Sequence, residues 1–203
     1  MALLKKDLDT QLSTKVKPLV LVPDTFLQRT PRFKHSQYDA PCPVSEKSFN
    51  VMASMVTATA INARFDYIEQ PAYQIFDNEL FRGQRRKFWK PLLKMKFPIY
   101  IVSPLFGIVW PGDNIGRYDL PMEDMFMNWR KRQLWRLVIE LFDKNKCDCV
   151  LSYLPTLYDN VVRAEETPWF RYEPGMLLIH QQALLSIARK SCHRSAKLAK
   201  TKK

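Results

Sequence analysis

Glycine is scarce in this chain, with five in 203 residues. Three of them, Gly107, Gly112 and Gly116, fall in one stretch, Ile99 to Leu120. So sparing a use points to backbone needs there, such as positive φ or a close approach. Long apolar runs are missing as well. The best candidate, around Phe97 to Trp110, is interrupted by prolines and too short to cross a bilayer, so no membrane partner is expected. The opening MALLKKDLDTQ carries acids early and does not read as a secretory signal, which leaves a cytoplasmic location as the expectation. The four cysteines, Cys42, Cys147, Cys149 and Cys192, lack both the paired ligand sets of a zinc site and the density of a disulfide framework. They read as free thiols. Cys147 and Cys149 flank Asp148 at the expected start of a strand, either as small core residues or as a redox-sensing pair. No metal or cofactor is expected. His35, His180 and His193 are far apart, and neither G-x-x-x-x-G-K-[ST] nor G-x-G-x-x-G occurs.

Acidic residues are absent after Glu173, while the last fifteen positions carry seven positive charges, Arg189, Lys190, Arg194, Lys197, Lys200, Lys202 and Lys203. Together with a net charge of +12, this favours a polyanionic partner, DNA or RNA, contacted mainly through phosphates. A solubilising tail without a dedicated partner explains the same residues. Two further basic groups suit phosphate contact or simply a solvated helix face. One is Arg82, Arg85, Arg86 and Lys87, with Phe88 and Trp89 beside it as rings that could stack on bases. The other is Lys131, Arg132 and Arg136.

Hydrophobic residues make up 46% of the chain, enough for one domain with a proper core. A polar lead over 1–16 precedes the domain at 17–188, and a basic tail fills 189–203. Lys17 to Val22 reads as a buried strand. Four prolines between Pro23 and Lys47 mark a long irregular connection. Phe49 to Ile61 has helical spacing, with Ser48 as a cap, and a short helix is expected from Tyr73 to Phe81. Ile99 to Val102 is the central strand, and Glu123 to Asp143 is expected as one long helix with acids in its first turn. Cys147 to Tyr153 is the next strand, followed by a helix or turn near Pro155 to Val162, an extended stretch at Trp169 to Tyr172, and a last helix from Gly175 to about Lys190. The fold class is therefore α/β: a single domain, a mixed sheet with flanking helices, and a long loop at the end of a central strand. Strand, loop, helix and strand from Ile99 to Tyr153 suggest a crossover unit, with the loop where open α/β sheets bind ligands.

After that strand, Ser103, Pro104, Gly107, Pro111, Gly112, Asp113, Asn114 and Gly116 set turn chemistry among apolar residues. The pattern Ser103-x-Leu105-Phe106-Gly107-x-Val109-x-Pro111-x-Asp113-x-Ile115-x-x-Tyr118-x-Leu120 resembles S-G-L-Y-G-x-x-R-P-L-D-x-I-x-P-Y-R-L, the signature of the YaaA family of peroxide stress proteins. Phe76 to Gly83 is similar to that family's F-x-G-D-V-Y-x-G-L, and the resemblance extends over roughly residues 17 to 165. It implies a mixed α/β fold, duplex DNA binding in a basic cleft, and a role in surviving peroxide by limiting free iron. Three positions differ. Val22-Pro23-Asp24-Thr25 replaces the family's S-P-A-K turn, Trp110 stands where the family has an arginine, and Asp119 where it has another.

Within the stretch, Ser103, Asp113 and Tyr118 are the catalytic candidates, offering a hydroxyl, a carboxylate and a phenol. The plainer reading has Ser103 and Asp113 bonding loop backbone while Tyr118 anchors the loop end. Phe106, Gly107, Pro111, Arg117 and Leu120 are expected to line the cleft. The leading expectation is a nucleic-acid-binding protein active in the oxidative stress response. The alternative is an enzyme acting on a nucleotide or nucleobase at residues 103–120.

Overall fold

The computed structural model describes residues 16–25, 28, 44–60, 62–76, 81, 85–163, 170–172 and 184–189. The sheet is organised around β1 (Pro18–Pro23), whose Leu19, Val20, Leu21 and Val22 are all buried. Four consecutive apolar residues suit a strand covered on both faces, as parallel sheets require. On one side β1 runs parallel to β3 (Ile99–Ser103), with Val20 opposite Ile99 and Pro23 opposite Val102. On the other it runs parallel to β6 (Cys149–Ser152). β4 (Gly107–Val109) returns antiparallel on β3, and β7 (Phe170–Tyr172) extends the far edge parallel to β6. The order is β4-β3-β1-β6-β7, a five-stranded mixed sheet. β2 (Asp66–Pro71) and β5 (Asn114–Arg117) form a separate antiparallel pair.

The α/β architecture expected from the sequence is what forms, with local corrections. The Ile99 to Tyr153 crossover connects strands that are not neighbours, because β1 lies between β3 and β6. The segment after β3 is less a loop than a folded insertion holding β4 and β5. Of its glycines, Gly107 has φ +75, and a Cβ there would lie 3.0 Å from Trp129; a Cβ on Gly112 would stand 2.2 Å from the Trp110 ring. Both positions therefore need glycine, one for conformation and one for space.

Helix α1 (Glu46–Thr59) begins ahead of the expected Phe49, and its cap is Ser45 rather than Ser48: the Ser45 side chain accepts from the Ser48 backbone N–H. α2 (Ala72–Ile75) follows β2 directly and stops at Phe76, which is extended and bridged to Gln28, so the helix expected over Tyr73 to Phe81 is cut to one turn; residue 81 is helical again. Arg85–Trp89 forms a π-helical turn leading into α3 (Lys90–Lys94). Phe88 and Trp89 are buried there, Trp89 stacked flat on Phe81 at 4.9 Å, so neither ring is free for a base.

The long helix expected over Glu123 to Asp143 is two. α4 (Met122–Lys131) ends at Arg132, Gln133 takes a left-handed conformation (φ 57), and α5 (Leu134–Lys144) starts on a new axis. The break lets Trp129 and Leu134 both reach the core around Gly107, which one straight helix would present on different faces. α6 (Thr156–Val162) covers the end of β6, and residues 184–189 are helical as expected. Among the described residues no helix is long and apolar enough to cross a membrane.

Candidate active site at the carboxyl ends of the parallel strands

The carboxyl ends of β1, β3 and β6 come together and deliver three polar residues in succession. β1 ends at Pro23, and the next residue, Asp24, is held by its backbone N–H on the Val102 carbonyl of β3 at 3.1 Å. β3 ends at Ser103 and β6 at Ser152, both fully buried. These are polar side chains where the apolar strands stop, and two following segments complete them. The chain leaving β5 brings Tyr118, and α6 brings Tyr158 and Asp159.

The resulting hydrogen bonds have one consistent direction. Tyr158 donates its hydroxyl to Asp24 Oδ1 at 2.7 Å, and Tyr118 donates to Asp24 Oδ2. With its own proton so used, the Tyr118 oxygen accepts from the Ser103 hydroxyl, 2.8 Å away, and Ser103 Oγ in turn accepts the Phe106 backbone N–H at 3.1 Å. Gln28 Oε1 takes the Tyr118 backbone N–H at 2.9 Å. Beside this network, Ser152 donates to Asp159 Oδ1 at 2.8 Å, and Arg163 closes on Asp159 Oδ2 at 2.8 Å.

Burial sets the electrostatics. Asp24 is 8% exposed, and desolvation pushes its carboxyl up to about 6 against the two phenol hydrogen bonds that pull it down. Burial and the neighbouring Asp24 charge raise both phenols, so Tyr118 and Tyr158 remain protonated donors. Asp24, Gln28, Tyr118, Leu120, Pro121, Met122, Glu123 and Tyr158 line a cavity of about 210 Å³, with carboxylates but no cation among these described residues.

The three catalytic candidates do not form one group. Ser103 and Tyr118 are hydrogen-bonded partners, but Asp113 lies elsewhere. Its Oδ2 accepts the Trp110 backbone N–H at 2.8 Å while its own N–H returns to the Trp110 carbonyl at 2.9 Å. Asp113 lines a second, larger cavity of about 840 Å³. Ser103, at 0% exposure with both hydrogen bonds committed, positions Tyr118 and is shielded from any substrate.

The expected cleft residues divide in the same way. Leu120 lines the smaller cavity and Phe106 the larger. Phe106 also packs edge-on against Tyr118 at 5.5 Å, and so stands between the two. Gly107 and Pro111 are buried, with the Pro111 carbonyl accepting the Tyr73 N–H, and Arg117 sits half-buried in β5. Asp119, opposite in charge to the family's arginine, is exposed and pairs with Arg64 at 3.7 Å.

Of the basic residues, Lys87, Lys131, Arg132, Arg136 and Arg189 are exposed. Arg132 and Arg136, on separate elements, still line one groove of about 270 Å³ together with Lys47. Arg85 and Arg86 lie in the π-helical turn. Arg82 and the tail residues Lys190, Arg194, Lys197 and Lys200 lie outside the described residues. Cys147 is buried, and burial pushes its thiol up to about 12, which suits a core residue. Among the described residues no group of three or more His, Cys, Asp or Glu could hold a metal.

Asp24, Gln28 and Tyr158 lie outside the motifs that stand out in the sequence. A signal was available for Asp24: an acid directly after a run of apolar strand residues and a proline, in the turn where the resembled family keeps a lysine. No known protein-family model matches the chain, and no curated protein matches it.

Proposed function

We propose that the pocket at the carboxyl ends of β1, β3 and β6 is an acid–base site for a nucleobase or nucleotide, with Asp24 as the proton-exchanging group. The supporting observation is a buried carboxyl held by two tyrosine hydroxyls in the wall of a cavity where parallel strands end. A carboxyl raised to about 6 exchanges protons near neutrality, as a general acid or base requires. Tyr118 and Tyr158 orient it. The volume, about 210 Å³, suits a single heterocycle, and Asp24 and Glu123 favour its donor edge. No described cation lines the pocket, so the phosphates of a nucleotide would lie outside it, and the chain's net charge of +12 favours such an anion.

The test is a thermal-shift panel of nucleobases, nucleosides and nucleotides on the wild-type protein and on Asp24→Asn. At least one class should raise the Tm of the wild type, and the Asp24→Asn variant should lose that shift while keeping the fold. A panel that stabilises neither protein, or both equally, contradicts the assignment.

A second reading, phosphate-dominated binding of DNA or RNA, is favoured by the convergence of Lys47, Arg132 and Arg136 on one groove, with Lys131 exposed nearby. The central motif's resemblance links this reading to peroxide stress. If the groove engages about three phosphates, a fourfold rise in salt should weaken duplex binding by roughly fortyfold. Fluorescence anisotropy on the full chain, on a version ending at Ala188, and on a Lys47→Gln, Arg132→Gln, Arg136→Gln variant would separate tail from groove. The two readings are compatible, since a basic surface gathers the polyanion that an acidic pocket then samples.

A further inference from the structure

The larger cavity, about 840 Å³, is opposite in sign to the net charge of this strongly basic protein. Its walls are aliphatic and aromatic, with Phe49, Phe106 and Trp110 among them, and Phe49 is 59% exposed at its rim. Its charged lining is of one sign: Glu46 from α1, Glu69 from β2 and Asp113 from the turn after β4, with no lysine, arginine or histidine among the described lining residues. Tyr100 of β3 is the remaining titratable group in the wall. Asp113 is fixed by the Trp110 N–H on Oδ2, and among the described residues its Oδ1 has no donor.

We propose that this cavity is a binding site for an organic cation, a ligand with an apolar, ring-bearing body and a positive centre. The apolar walls would take the body, the aromatic faces and Asp113 the charge. The selectivity follows from the sign of the lining, since an anion of the same shape would meet three carboxylates. This site is independent of the Asp24 pocket. The two share no described lining residue, and Phe106 stands between them.

Burial pushes the Asp113 carboxyl up to about 6, against the Trp110 backbone hydrogen bond that pulls it down. A permanent cation should therefore bind more tightly as pH rises from 5 to 7.5 and Asp113 ionises. The probe is tetraphenylphosphonium, followed by calorimetric titration of the full chain at both pH values, with the isosteric anion tetraphenylborate as the control. The expected result is saturable one-to-one binding that weakens about tenfold at pH 5, and about tenfold at pH 7.5 in Asp113→Asn, whose pH dependence is lost. Ala53→Trp, on the half-exposed part of α1 that lines the cavity, should abolish binding without altering the circular dichroism. It also carries the test, with the wild-type pH series, should Asp113→Asn fail to fold. Absence of tetraphenylphosphonium binding at pH 7.5, binding unaffected by Ala53→Trp, or tetraphenylborate binding equally sensitive to Ala53→Trp would each overturn the proposal.

Discussion

Asp24 and Asp113 both have carboxyls raised to about 6 by burial, yet their surroundings differ. Asp24 accepts hydrogen bonds from two phenols in a small polar pocket, whereas Asp113 accepts one backbone N–H at the wall of a large apolar cavity. The same raised value thus comes from different balances. At Asp24 deep desolvation outweighs two good donors, while at Asp113 a milder desolvation meets only one. Each carboxyl is suited to a different task. A group clamped by two phenols can lose and regain a proton without moving, and one whose second oxygen meets no donor among the described residues, on an apolar wall, can neutralise a ligand's charge.

The packing around Asp113 is the most sensitive feature of the two sites. Gly112→Ala would drive a Cβ to 2.2 Å from the Trp110 ring, tilting the indole and the turn that places Asp113. We expect a loss of about 3 kcal/mol, a Tm lower by roughly 6–12 °C in a thermal melt, and damage to the larger cavity with the Asp24 pocket spared. Tyr118→Phe strikes the other side, removing one donor from Asp24 and the partner of the buried Ser103 hydroxyl. It should cost about 1–3 kcal/mol in a urea melt and raise the Asp24 carboxyl further. Tyr158→Phe should raise it too, with a smaller stability loss because Tyr158 is only half-buried.

The two carboxyls respond to pH with the same sign. Both aspartates have folded pKa values above the ordinary 3.8. Their contribution to stability is therefore complete below about pH 4 and is lost as pH rises through about 6. Glu140 runs the other way. Burial raises its carboxyl, but hydrogen bonds from Lys144, Ser48 and Ser45 outweigh that and lower it to about 2, so its contribution is present above pH 4.5 and lost as pH falls through about 2. Denaturant midpoints should accordingly decline between pH 5 and 7.5, and Asp24→Asn and Asp113→Asn should each remove part of that decline. The smallest effect is expected at Glu140→Gln, where α5 caps α1 through Ser45 and Ser48. A loss of about 1–2 kcal/mol, independent of both cavities, would appear in the same melts.

Much of the fold was legible in the sequence because the signals were local. The unbroken apolar runs of β1 and β3 announced strands buried on both faces, and the clustered glycines announced a demanding backbone at Gly107 and Gly112. Gln133 hid the corner between α4 and α5, because nothing in its side chain demands a left-handed backbone and the apolar stripe continues across it. The site was half legible. Ser103 and Tyr118 lie fifteen residues apart and meet as partners, but Asp24 and Tyr158 are joined across 134 residues, a contact that only the sheet order creates. Asp113 reads as their companion because it is near in sequence, yet the turn with Trp110 directs it to the other cavity.

Asp24, bound by two phenols, exchanges its proton near pH 6 rather than in the ordinary carboxylate range. The most direct measurement is a carbon-13 NMR titration of the aspartate side-chain carboxyls, with Asp24→Asn for assignment and Tyr158→Phe for comparison. An Asp24 midpoint near 6 is expected, moving upward in Tyr158→Phe as the loss of a donor to the carboxylate requires. A midpoint at the ordinary 3.8, unmoved by the tyrosine substitution, would contradict it.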